Sequence, residues 1–294
     1  MKIPRTQFLY FVYWLQSHFP KRLDLYLQFL EKSQTLETLQ DCVEIMKEGF
    51  DREFDFQNLA ANEERIFSLI EKGKINFACY GEETYPESFK SLEYAPFVFS
   101  YLGNPVWMNH QLISVVGSRE PCADSLQWVE RELIAYLAHC KIGVVSGGAR
   151  GIDQAAHKAA LLAGQPTVVF VPAGLGRLYP RELSRLVPVV LSTGGAVVSE
   201  YSYHQEMHIR FFEARNRLIA TMGEFLLIIE GKRRSGTLLT AQLAMNQGKP
   251  IACLPGHPLH PQFSGTLDLL VSGAHLIRDR LDLMSFHSNA STNH

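Results

Sequence analysis

The sequence predicts an α/β protein built on a doubly wound, mostly parallel sheet and preceded by a small helical domain. Three observations carry this reading. From Ile113 onward, short runs of Val, Ile and Leu alternate with helical segments, the pattern of strands buried on both faces. Nearly every run ends in Gly, Ser or a charge, which gathers polar loops at the carboxyl edge of the sheet, where open α/β folds bind ligands. Before residue 75, by contrast, apolar residues recur at helical spacing.

In chain order, residues 6–73 read as several short helices with stop signals at Pro20 and Gly73, and residues 1–74 are assigned to the helical domain. From Ile75 to Tyr101 the pattern is extended and aromatic ("INFACYG", "PFVFSYLG"), broken by Pro86 and Pro96, and bridges into the α/β region. The strand candidates are then "ISVVGSR", "IGVVSGGARG", "TVVFVPAGLG", "AVVSEY", "FLLIIEGKRRSGT" and "PIACLPGH". Together they assign residues 75–285 to one α/β domain, and the polar residues 286–294 to a disordered tail.

Composition narrows the class of function. The chain has 294 residues, 46% hydrophobic and 20% charged, as an ordinary globular protein does. Its net charge of −2 hides an asymmetry: residues 1–110 carry 11 basic and 16 acidic side chains, residues 111–294 carry 17 and 14. A polyanion site is therefore expected as a local patch in the second part. Cys42, Cys79, Cys122, Cys140 and Cys253 lie far apart without CxxC or metal-like spacing, which fits reduced thiols in a cytoplasmic protein and no metal site. Lys2 and Arg5 precede the apolar run Phe8 to Leu15, but that run is aromatic-rich and lacks an A-x-A site. A packed helix is expected there, and no membrane partner.

The stretch "VVSGGARGIDQAAH" raises the functional question, because a strand, glycines and a helix start are suited to an anion. A dinucleotide fits poorly: "VVGSRE" stands where G-x-G-x-x-G is expected, and no acidic residue ends the next strand. "GKRRSGT" does not have the order of a P-loop, so neither NAD nor ATP, nor any other cofactor, is predicted. The same loops instead carry Gly117, Ser118 and Arg119; Gly147, Gly148, Arg150 and Gly151; Arg210, Phe212, Arg215 and Asn216; and Lys232, Arg233, Arg234, Ser235, Gly236 and Thr237. Arginine forks and backbone N–H groups suit phosphates, and an exposed phenylalanine offers a base a stacking face. That combination points to single-stranded nucleic acid.

Blander readings stand beside these. Glycine turns of this kind also serve tight strand–helix packing. Arg215 and Asn216 fit a scaffold role as well as a contact role, with Arg217 weaker still, and "KRR" at 232–234 fits a solvated loop. Phe211 and Phe212 are adjacent on a helix and cannot share one core, which leaves Phe212 as the candidate for stacking. Asp153 and His157 read as a satisfied helical pair, and Tyr179 with Pro180 as a rigid loop.

The colinear series "VVGSR", "VVSGGARGIDQAAHKAAL", "GLGRLYP", "VVSEY", "FFEARNRLIA", "EGKRRSGTLLTAQLA" and "LPG" with "GTLDLLVSGA" resembles the DprA/Smf family of DNA-processing proteins of natural transformation, over about residues 75–278. The resemblance implies an extended Rossmann-like domain that binds and protects incoming single-stranded DNA, forms a homodimer, and loads the RecA recombinase. It puts Arg119, the glycine turn with Arg150, and Phe212 at DNA-contacting positions. Ile209 stands where the family carries a lysine, and neighbouring Arg210 is expected to supply the charge. The helical domain corresponds in position to that of relatives but lacks a "GLG" hairpin signature, and a C-terminal winged helix is not expected. The alternative is a LOG-type nucleotide phosphoribohydrolase, whose "PGGxGTxxE" glutamate would fall on Thr240. With no acid–base carboxylate evident, the chain is read as a binding protein, not an enzyme.

Overall fold

The structure, a computed structural model, describes residues 12, 13, 16, 68–70, 72 and 74–291. Nine strands form one sheet in the order β1-β2-β6-β5-β4-β3-β7-β8-β9. They are β1 (Asn76–Cys79), β2 (Val98–Gly103), β3 (Leu112–Val116), β4 (Gly143–Ser146), β5 (Thr167–Phe170), β6 (Ala196–Ser199), β7 (Leu226–Ile228), β8 (Ile251–Cys253) and β9 (His275–Leu276). Strands β6 through β9 in this order are parallel, while β1 and β2 add an antiparallel edge. The aromatic stretch read as a bridge is thus part of the sheet itself.

The helices are α1 (Ala123–Trp128), which continues through a π-helical turn at Val129–Leu133 into α2 (Ile134–Cys140), then α3 (Ile152–Leu162), α4 (Leu183–Ser192), α5 (Ile209–Met222), α6 (Gly236–Asn246), α7 (Ser264–Val271) and α8 (Arg280–Ser291). Strand alternation splits the core in two. Val116, Val145, Phe170 and Ile228 face α5 and α6, packing on Leu218, Ile219, Ala241 and Ala244. Ile113, Val115, Val144 and Leu227 face the other way, onto Leu133, Leu137, Ala156 and Phe286. Ser114 is the polar exception in the middle of β3. Its hydroxyl donates to the Ile219 carbonyl at 2.5 Å and accepts from the Gly223 N–H at 3.2 Å, which pins α5 to the sheet.

The connection order creates the binding edge. From β3 the chain winds outward through β4, β5 and β6, then returns to the opposite flank of β3 as β7. The loops after β3 and β7 therefore diverge, and a crevice opens between them at the carboxyl ends of the strands.

One sequence expectation changes at the end of the chain. Residues 286–291, expected to be disordered, form the last turns of α8. Phe286 is buried edge-on against Phe225 with ring centroids 5.0 Å apart, and His287 Nε2 lies 2.9 Å from a Glu224 oxygen. A polar run therefore folds because two of its side chains find partners on the sheet. Most of the predicted N-terminal helical domain lies outside the described residues. The helical residues Tyr13 and Gln16 do reach the sheet: the Gln16 amide donates to the Val98 carbonyl at 2.7 Å and accepts from its N–H at 3.0 Å.

Phe286→Ala is expected to destabilise the protein by about 3 kcal/mol, as removal of a buried ring does. Equilibrium denaturant unfolding checks this, and a change within about 0.5 kcal/mol would mean that α8 is only loosely docked.

Candidate nucleic-acid interface

A cleft of about 740 Å³ opens at the switch point. One wall is the loop after β3, with Gly117, Ser118, Arg119 and Glu120; the second is one face of α5, with Ile209, Phe212, Glu213 and Asn216. The third is the loop after β7 and the start of α6, with Lys232, Arg234, Ser235, Gly236, Thr237 and Thr240. Helical spacing explains the α5 wall, because residues 209, 212, 213 and 216 share a face. The neighbouring Phe211 turns away and stacks on Tyr201, ring centroids 4.0 Å apart.

Arg119 and Phe212 form the centre of the cleft. The Arg119 guanidinium carbon lies 5.1 Å from the centre of the Phe212 ring, a cation–π contact, and Tyr179 meets the same ring edge-on at 5.9 Å. Arg119, Lys232 and Arg234 are exposed, and none forms an ion pair among the described residues. Arg234 holds a left-handed backbone with φ of +55°, uncommon for a residue with a side chain. It sits just before Ser235, which caps α6 by accepting from the Leu238 N–H. The first turn of α6, with its partial positive charge, thus lines the cleft together with two unpaired cations.

The glycine turn after β4 packs closely against the protein itself. The Ile152 N–H donates to the Ser118 carbonyl at 3.1 Å and the Ala149 N–H to Asp153 Oδ2 at 3.3 Å, so these two donors are engaged by the protein. A Cβ at Gly151, where φ is +80°, would fall 2.3 Å from the Ser118 carbonyl oxygen. At Gly147 it would fall 2.4 Å from Nη1 of Arg215. The glycines are required because the backbone packs against the β3 loop and a buried guanidinium. Gly147, Gly148, Arg150, Gly151, Arg210 and Arg233 do not line the cleft. Arg150 pairs with Glu182 at 2.5 Å, Arg233 makes a two-pronged pair with Asp268, and Arg210 projects elsewhere on the surface while Ile209, 74% exposed, stands at the mouth.

Arg215 is buried beneath the cleft. Its Nη1 donates to the carbonyls of Gly147 and Phe170, joining the ends of β4 and β5. Burial pulls its guanidinium down to about 10, opposed by the Asp153 carboxylate, which desolvation in turn raises above the ordinary range. His157, one turn beyond Asp153, is buried; its Nδ1 lies 2.7 Å from Thr167 Oγ1, and desolvation, reinforced by Arg215, holds it down at about 3. Arg217 makes a bidentate pair with Glu200 at 2.6 and 2.5 Å. Sequence reasoning missed Ile209, Glu120, Glu213 and Tyr179 as parts of this neighbourhood. For Ile209 the signal was present, since an isoleucine opening the face that carries Phe212 shares its environment.

Among the described residues no group of three His, Cys, Asp or Glu side chains is placed to hold a metal ion, and no helix is long and apolar enough to cross a membrane. Thr240 donates its hydroxyl to the Gly236 carbonyl at 3.0 Å, closing the first turn of α6.

A Rossmann-like sheet with exposed cations and a phenylalanine in a crevice at its switch point defines a class of α/β protein whose loops carry the make-up of a polyanion site. The chain belongs to the family described as DNA recombination-mediator protein A, whose sequence model matches residues 76–288. It is 33% identical over 204 residues to the DNA processing protein DprA of Streptococcus pneumoniae, covering 69% of this chain and 71% of that one. It is 35% identical over 172 residues to protein Smf of Escherichia coli, covering 58% of this chain and 46% of that one. The X-ray structure of the Streptococcus pneumoniae DprA superposes with a TM-score of 0.77 at 28% identity, over 97% of this chain and 98% of the other. DNA processing protein A from Helicobacter pylori, solved to describe its single-stranded DNA binding mode, superposes with a TM-score of 0.64 at 25% identity, over 73% and 96%. The expected family and the extended α/β fold are thereby established.

The buried cluster yields two expectations. Arg215→Met should cost about 1–3 kcal/mol of stability, because the buried carbonyls of Gly147 and Phe170 lose their donor; chemical denaturation measures it. His157 binds its proton more weakly folded than unfolded, so stability falls as pH drops from about 6.5 toward 3, by at most about 1.4 kcal/mol per pH unit. Asp153, held above its ordinary range, acts oppositely: its contribution grows as pH falls from its raised value to about 3.8. The difference between wild type and His157→Gln isolates the histidine, and parallel stability–pH curves for the two would refute its role.

Proposed function

We propose that the chain binds single-stranded DNA without regard to sequence in the switch-point cleft, shields it, and as a homodimer passes it to the RecA recombinase. The gathering of the unpaired cations Arg119, Lys232 and Arg234 in one cleft with the half-buried Phe212, which Arg119 meets at 5.1 Å, carries this reading. Phosphates bind the cations and the N–H groups of the β3 loop and the α6 start, while a base stacks on Phe212. A duplex keeps its bases stacked inside, so an aromatic floor selects the single strand. The single-stranded DNA binding of the Helicobacter pylori relative supports the choice of ligand, and the family supports a role in recombination.

The chain acts by binding. In a glycosidic hydrolase of similar fold the position of Thr240 would carry the working carboxylate; here it is a threonine whose hydroxyl is committed to the helix backbone. Asp153 is buried at the base of the cleft, where it accepts from the Ala149 N–H and lies in the field of Arg215, so it is engaged by the scaffold.

Binding of labelled oligo-dT and of the matching duplex, followed by fluorescence anisotropy at two salt concentrations, tests the proposal. Wild type is expected to prefer the single strand and to weaken steeply with salt. Arg119→Ala and Phe212→Ala are each expected to lose about tenfold in affinity, in keeping with roughly 1–3 kcal/mol for a stacked base or a charged contact. Equal affinity for single strand and duplex, or indifference to salt, would sink the reading.

A further inference from the structure

Beside the cleft lies a second charged surface that the proposed site does not use. The segment 174–185 leads from β5 into α4 and reads GLGRLYPRELSR. It exposes Arg177, Arg181 and Arg185, none of which forms an ion pair among the described residues. Its one acidic residue, Glu182, is paired with Arg150 at 2.5 Å and reaches Arg185 only through a longer-range Coulombic interaction.

The segment is held in place. The Gly174 N–H donates to the Gln205 carbonyl at 2.8 Å, the Gly176 N–H donates to the Tyr203 carbonyl at 2.9 Å, and the Leu183 side chain packs over Gly148 of the glycine turn. It meets the cleft at one ring contact. Tyr179, 39% exposed, meets the edge of the Phe212 ring at 5.9 Å with the planes at 85°. The strand order makes the path short, because β7, β3, β4 and β5 are successive neighbours and all release their loops at the same edge. Three steps of roughly 4.8 Å carry a ligand from the loop after β7 to the loop after β5.

We propose that this segment extends the DNA track: a single strand leaving the cleft over Phe212 crosses Tyr179 and continues along Arg177, Arg181 and Arg185. The inference rests on the cleft's binding single-stranded DNA. Unpaired cations spaced along a rigid backbone beside an exposed aromatic ring suit a flexible strand whose phosphates and bases are both available. The extension adds affinity only for strands longer than the cleft holds.

The experiment compares wild type, Arg119→Ala and the triple variant Arg177→Ala, Arg181→Ala, Arg185→Ala on oligo-dT of about 5 and about 20 nucleotides across a salt series. All three substituted arginines are exposed, and unchanged thermal melting shows that the variant is folded. The triple variant is expected to bind the short strand as wild type does and to lose about tenfold or more on the long one. Its log–log salt slope on the long strand should become shallower by about 2, three contacts at roughly 0.7 each. Wild-type affinity and slope on both lengths would overturn the extension, with the arginines left for a protein partner. Equal loss on both lengths would overturn it too, by putting them inside the primary site. If Arg119→Ala binds both lengths as wild type does, the cleft reading itself fails, and that outcome is distinct from the other two.

Discussion

The guanidinium of Arg215 is the interaction on which the binding edge depends. It lies buried where β4 and β5 end, donates to the backbone of both through Gly147 and Phe170, and is balanced by Asp153 from α3. A charge removed from water in this way is tolerated only when its partners are fixed, so the group dictates its surroundings. Position 147 must be glycine, since a Cβ would overlap the guanidinium. Helix α5 must present residue 215 inward, and helical geometry then turns Phe212 and Asn216 toward the cleft. His157, pressed into the same low-dielectric region, stays neutral for the same reason.

The arginines divide by their partners. Arg150, Arg217, Arg233, Arg278 and Arg280 are matched to carboxylates, and Arg215 to backbone carbonyls. Arg119, Lys232 and Arg234 have no such match among the described residues and line one crevice. Ion pairing thus divides the cations of the edge into those matched to a carboxylate and those that face the crevice, Arg119 among the latter with only the Phe212 ring beside it. The near-neutral chain thus holds a local cationic field without a basic overall balance. Glu120 and Glu213 on the cleft walls temper that field.

Much of this architecture was legible in the residues. Continuous Val, Ile and Leu runs announced parallel strands, and the change of charge balance past residue 110 put the cationic patch in the second part of the chain, where the cleft lies. The adjacent phenylalanines required one to leave the core, and Phe212 is the one that lines the cleft while Phe211 stacks on Tyr201. Less legible was what the glycine turn is for. "SGGARG" looks alike whether its N–H groups await an anion or meet the protein, and only the nearness of Ser118 and Arg215 decides. The terminal residues misled for a related reason, because "FHSNAS" is polar by composition and folds only through Phe225 and Glu224.

The sequence by itself determined the fold class, the edge of the sheet on which the cleft lies, and the family, because hydrophobic periodicity and motif order are local properties of the chain. Tertiary structure alone decided which cations are free. Arg150 meets Glu182, Arg233 meets Asp268 and Tyr179 meets Phe212 across separations that no local pattern encodes. Whether a charge serves the scaffold or awaits a ligand is a matter of distance between side chains, and those distances exist only once the sheet has brought its loops to one edge.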